Sequence, residues 1–137
     1  MSDSLKADIR TAILAEGSLS ALIDTRVYQE HAPETAPMPY IIITNPTEEG
    51  VYHQTGVSGL ALTELEFTIW AVTPESRTAV RNALRDFLNV IIRQTLTSTF
   101  CYRIWNTNNI DTKEKPDEGS QNFSFGVIMD FDIWHNR

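Results

Sequence analysis

The chain has 137 residues, 42% of them hydrophobic, which is the size and composition of one folded domain and not of a disordered segment. Its formal net charge of −7 excludes the broad basic surface that sequence-independent nucleic-acid binding needs. No apolar run is long enough for a transmembrane helix, and the start Ser2-Asp3-Ser4 lacks the basic-then-apolar order of a signal peptide. A lone cysteine, Cys101, excludes an internal disulfide and fits synthesis in a reducing cytoplasm.

In chain order, Ser4 to about Ala15 is a predicted helix with Leu5, Ile9, Ala12 and Ile13 on one face and Gly17 as its stop. Ser18 starts a short second turn carrying Leu19, Leu22 and Ile23, and Val27-Tyr28 fits a very short strand. His31 to Pro39 holds three prolines and reads as an extended crossing. Tyr40-Ile41-Ile42-Ile43-Thr44 is a dense β-branched stretch and a predicted buried strand, stopped by Asn45-Pro46. Thr47–Gly59 is polar and glycine-containing, the profile of a long hairpin loop.

Leu60 to Ala71 alternates with period two. Leu65, Phe67, Ile69 and Ala71 take one face, and Glu64, Glu66, Thr68 and Trp70 the other. Thr73 is placed to cap the next helix, Pro74 occupies its first position, and Glu75 complements the positive helix end. Ala79, Val80, Ala83, Leu84, Phe87, Leu88, Ile91 and Ile92 recur at steps of three and four, so this helix is expected to lie on the strand. Gln94–Thr99 reads as a connection. Phe100–Asn106 alternates, with Phe100, Tyr102 and Ile104 on one side and Cys101, Arg103 and Trp105 on the other. Thr107–Gln121 is almost free of apolar residues and reads as a long loop. The last strand spans Phe123 to His135. The predicted fold is α+β: residues 1–137 as one domain, a mostly antiparallel sheet of about four strands, and two main helices packed on one face.

That arrangement leaves a second sheet face. By alternation it carries Trp70, Trp105 and Trp134, every tryptophan in the chain, with Leu60, Leu62 and Ile128 and the charged Glu64, Glu66, Asp130, Asp132 and Arg103. So much indole on a water-facing surface points to a subunit interface, or else to cover by the chain's own N-terminal helix. The acids have an enzymatic reading: Asp130-x-Asp132 with His135, joined by Glu64 and Glu66, as oxygen ligands for a divalent metal in a small hydrolase. Strand periodicity alone yields Asp-x-Asp on an outward face, however, and His135 points away from Asp132. The expectation is therefore no metal and no cofactor.

His31, His53 and His135 lack metal-ligand spacing and read as scattered surface residues. Cys101 reads as a core or interface thiol rather than a nucleophile. Gly50, Gly56 and Gly59 match no phosphate-binding loop, and no nucleophile elbow is present.

The order of pieces resembles a known family. A helix leads to Thr25-Arg26-Val27-Tyr28, then Ala32-Pro33, then Pro39-Tyr40-Ile41-Ile42-Ile43. A glycine-containing loop follows, then a strand ending Ile69-Trp70-Ala71, then an alanine-rich helix from Pro74. Across residues 5 to 92 this resembles the tail completion proteins of long-tailed bacteriophages, which include tail terminators and tail-to-head joining proteins. Thr107–Gln121 has no counterpart in the pattern. The resemblance implies a non-enzymatic virion subunit, made in the host cytoplasm, that assembles into a ring, expected to be a hexamer. That ring would cap the head-proximal end of the tail tube and join it to the head. Its implied partners are copies of itself, the tail tube protein and head connector proteins, with no specific nucleic-acid binding and no membrane.

On that reading Trp70, Trp105 and Trp134 contact neighbouring subunits. Two polar segments act as arms: Glu48, Glu49, Tyr52 and His53 in one, Lys113 and Lys115 in the other. Glu64, Glu66, Asp130 and Asp132 form an acidic face, or a lumen that would repel passing DNA.

Overall fold

The computed structural model describes residues 2–33, 36–44, 51–53, 60–97, 99–114 and 124–136. In order these form α1 (Ser2–Ala15), α2 (Gly17–Ile23), β1 (Val27–Gln29), β2 (Tyr40–Thr44), β3 (Val51–His53) and β4 (Leu60–Ala71). Then come α3 (Pro74–Asn89), β5 (Ile92–Leu96), β6 (Thr99–Glu114) and β7 (Ser124–Asn136).

The strands make one seven-stranded sheet in the order β1-β2-β4-β7-β6-β5, with β3 pairing a further stretch of β4. Its spine is the antiparallel pair β4–β7, in register from Leu60↔Asn136 to Ala71↔Phe125. Both strands alternate cleanly, so one face of the pair is lined by Leu65, Phe67, Ile69, Val127, Met129, Phe131 and Ile133, all fully buried. Phe67 and Phe131 meet edge to face, with ring centroids 5.2 Å apart.

The helices cover that inner face. Leu5, Ile9 and Ile13 from α1, Leu19 and Ile23 from α2, and Val80, Leu84 and Leu88 from α3 join its residues in one core cluster. The α3 start is built as the sequence implies: Thr73 Oγ1 accepts from the Ser76 N–H at 3.1 Å, and Pro74 opens the helix. Polar groups fasten α1 to the sheet. Lys6 pairs with Glu30, Arg10 Nε donates to the Val27 carbonyl at 2.7 Å, and buried Asp8 accepts from Thr99 Oγ1 at 2.7 Å.

The structure corrects several expectations. The α+β build with a mostly antiparallel sheet agrees with the sequence reading, and among the described residues that sheet is larger, with seven strands, and carries the short helix α2 beside the two main ones. Helix α3 ends at Asn89, so Ile92 leaves the apolar stripe and is 48% exposed in β5. The predicted connection Gln94–Thr99 is largely edge strand, pairing Ile92–Leu96 with Thr99–Arg103.

Thr107–Glu114 is not a loop, because it continues β6 and pairs with β7 as far as Glu114↔Ser124. Its polar sequence hid the strand, since β7 supplies the ladder and low intrinsic strand propensity is overridden. Val51–His53 is likewise a strand against β4. Residues 45–50, 54–59, 115–123 and the central part of the Pro-rich crossing (34–35) lie outside the described residues.

The alternation in β6 also breaks. Register shifts lie between Cys101 and Arg103 and between Asn106 and Asn108. The first puts both Cys101 and Ile104 inside, and Tyr102 with Arg103 outside. Replacing Phe67 by Ala is expected to cost about 3–5 kcal/mol, seen as a lower urea midpoint with the slope of the transition unchanged.

Candidate functional site

Among the described residues, the outer face of the sheet gathers the tryptophans and a cluster of acids. Its cross-strand rows follow from register. One end row is Tyr40–Trp70–Gly126–Thr112, followed by Ile42–Thr68–Ile128–Ile110. The middle rows are Thr44–Glu66–Asp130–Asn108 and Glu64–Asp132–Trp105. The far row is Leu62–Trp134–Arg103. An acidic belt is therefore bounded by an aromatic and aliphatic band on each side. From Leu62 to Trp70 the face runs about 27 Å at the rise of an antiparallel strand.

Each predicted tryptophan lies on this face. Trp105 is 43% exposed, with the Arg103 guanidinium 5.3 Å from its ring centroid. Trp70 and Trp134 are half-buried. The three do not form one patch, however. Trp70 stands at one end of the belt, and Trp105 and Trp134 stand at the other.

Trp70 has a seat that the sequence reading missed. A Cβ on Gly126 would lie 2.9 Å from the Trp70 ring and 3.0 Å from the Ile69 carbonyl, so the indole packs closely against a glycine in the paired strand. A glycine inside a strand marks such close approach, and that signal was available from the sequence. Tyr28, Tyr40, Ile42 and Ile110 also belong to this end. Tyr28 and Tyr40 meet edge to face at 5.9 Å, and Ile110 is 51% exposed. Tyr40 and Ile42 were missed because Tyr40–Thr44 reads as one buried strand, whereas only Ile41 and Ile43 are fully buried, and Ile110 because it lies in the stretch that reads as a loop.

The N-terminal helix does not cover this face, because α1 puts Leu5, Ile9 and Ile13 into the inner core. Lys113 is exposed on β6 opposite Phe125, and Tyr52 and His53 lie in β3 instead of a loop. Glu48, Glu49 and Lys115 lie outside the described residues, so the two arms are only partly placed.

In the belt, burial pushes the Glu66 carboxyl up. The charge of Asp130 adds to this, and the Thr44 hydroxyl opposes it. Asp132 is pushed up by burial and by the same neighbour. The belt is thus a set of crowded like charges. Among the described residues no group of three or more His, Cys, Asp and Glu side chains is placed to hold a metal ion.

His135, expected at the surface, is 3% exposed and faces the interior. Its Nε2 is 2.7 Å from Thr63 Oγ1, because its strand position puts it opposite the belt. Cys101 is fully buried, and burial, with Asp8 nearby, pushes its thiol to about 12.

No protein-family model matches the chain, and no curated protein does. Its fold is similar to that of a chain in the solved virion of a native gene transfer agent particle. The TM-score is 0.72 at 17% sequence identity, covering 97% of this chain and 95% of that one.

Two outcomes are expected. Gly126→Val should evict the Trp70 ring and cost about 1–3 kcal/mol, with a red-shifted tryptophan emission in the folded protein. The raised carboxyls make the native state bind more protons than the unfolded chain between the ordinary carboxylate pKa and the raised one. Stability therefore falls as pH rises through that window. Asp132→Asn should melt higher than the parent at neutral pH, with the advantage vanishing below about pH 4.

Proposed function

We propose that this protein is a structural subunit of a phage-type virion that assembles into a ring, with six copies expected, at the head-proximal end of a tail. There it would cap the tail tube and meet the head connector. The observation that carries this is the outer sheet face: Trp70, Trp105 and Trp134 with Ile42, Ile110 and Ile128, on the side away from all three helices. The fold shared over nearly the whole chain with a virion component supports it, as does the resemblance of residues 5 to 92 to tail completion proteins. The aromatic bands flank the acidic belt within one footprint. A lumen-facing belt would leave those indoles in water, so the face is read as a subunit contact instead of a channel wall.

The edges of the sheet fit the same reading. β1 and β5 are short, as edge strands of a molecule that must avoid uncontrolled pairing tend to be. A closed ring uses the remaining sticky surface safely.

The test is mass in solution across a range of concentrations, with electron microscopy of the largest species. Rings are expected. Trp70→Ala should shift the population toward monomer while far-ultraviolet circular dichroism stays unchanged. A parent chain that stays monomeric at every concentration would sink the ring.

A further inference from the structure

We propose that the open edge of β6 from Asn108 to Thr112 pairs with the same edge of a second copy, antiparallel and about a two-fold axis at Ile110. This contact uses neither the tryptophans nor the acids of the outer face, and it goes beyond the ring reading without resting on it.

The first observation is where the sheet stops. β6 runs from Thr99 to Glu114 and pairs with β7 as far as Glu114. On its other side β5 pairs only with Thr99–Arg103, so among the described residues no strand continues the sheet beside Asn108–Thr112. Asn108, Asn109, Ile110 and Asp111 are all exposed, Ile110 at 51%. At the opposite edge, by contrast, Arg10 Nε occupies the Val27 carbonyl of β1 at 2.7 Å.

The second observation is the direction of the peptide groups. The Glu30 N–H donates to the Ile43 carbonyl at 2.9 Å, so Ile43 turns its peptide groups to β1, and Ile42 and Thr44 turn theirs to β4. Alternation carried through the registers makes Asn108, Ile110 and Thr112 bond to β7. The Asp130 carbonyl agrees: it accepts from Asn106 Nδ2 at 3.0 Å and from Thr107 Oγ1 at 3.2 Å, and therefore faces β6. Asn109 and Asp111 thus point their N–H and carbonyl groups out of the sheet. Such an edge specifies the chemistry of its occupant, an extended backbone.

The third observation is that the stretch is complementary to itself. Pairing about Ile110 sets Asn109 opposite Asp111 and Asn108 opposite Thr112 of the partner subunit, so no like charges stand directly opposite. Asn109 and Asp111 form hydrogen-bonded pairs, each exchanging two backbone bonds. Ile110 falls at a non-hydrogen-bonded position, where Cα atoms come within about 4.5 Å, and the two exposed isoleucines cover each other. Moving the axis to Asp111 would instead set its carboxylates face to face. In the chosen register Asp111 stays turned to the helix side, held by Arg77 and Arg81 at 3.9 and 3.6 Å. Asn108–Thr112 contains no proline or lysine, the residues that commonly blunt an edge, and the register shift between Asn106 and Asn108 ends the pairing. Because one edge serves both copies, the contact is isologous and closes as a dimer; in a ring of subunits it would join rings in pairs.

The experiment uses full-length Ile110→Cys, oxidised in its native state and read on a non-reducing gel. Ile92→Cys, similarly exposed on β5, is the control, and Cys101 is buried in both. Ile110→Cys is expected to link into dimers about tenfold faster than Ile92→Cys, because the proposed pairing holds its thiols within disulfide reach. The same rate is expected in a Trp70→Ala background, which removes the proposed ring contact. Asn109→Pro deletes only an outward N–H, so it is expected to melt like the parent and to lose the dimer in sedimentation. Ile110→Lys sets two ammonium groups on the axis and is expected to do the same, which keeps the test decisive should the proline variant misfold. Equal linking of Ile110→Cys and Ile92→Cys, or a folded Ile110→Lys that pairs like the parent, overturns the edge contact and leaves the ring reading standing. A parent that never forms rings while Ile110→Cys links selectively overturns the ring and supports the edge contact.

Discussion

The pairing of β4 with β7 is the constraint on which the rest depends. It is long, antiparallel and in register along its whole length. It therefore sorts every residue of both strands strictly to one face or the other. The inner set is aliphatic, aromatic or methionine from Leu65 to Ile69 and from Val127 to Ile133, with buried Thr63 and His135 paired to each other beyond it. The outer set mixes acids with indoles. One pairing thus creates both the core and the aromatic and acidic outer face, and a one-residue slip would exchange them.

Three short-range choices make that surface available. Helix α3 is stopped at Asn89, so the chain turns back as β5 and fills the far edge of the sheet. The register shifts in β6 bring Cys101 and Ile104 inside together while keeping Trp105 out. Gly126 leaves room for Trp70 to lie against its own sheet, which holds the indole half-buried instead of projecting into water. A rigid, partly desolvated aromatic costs little entropy when it becomes a contact, and that suits it to an interface.

The electrostatics follow from the same layering. Acids accumulate on the outer face, and the described arginines of α3 gather on the helical side.

Much of this was legible in the residues themselves. Period-two alternation in Leu60–Ala71 and Phe123–His135, the 3.6-residue stripe of Val80, Leu84 and Leu88, and the Thr73-Pro74 start each encode local geometry directly. The second-face position of every tryptophan followed from the same parity. What needed the folded molecule was non-local. The strand character of Thr107–Glu114 depends on β7 beside it, and the inward side chain of Cys101 depends on a register shift against that strand. The separation of Trp70 from Trp105 and Trp134 depends on which strands are neighbours. Sequence by itself determined which residues want burial and with what period, because those are properties of side chain and backbone at short range. Tertiary structure alone decided which of the two faces the helices cover, because that choice is made by contacts between segments far apart in the chain.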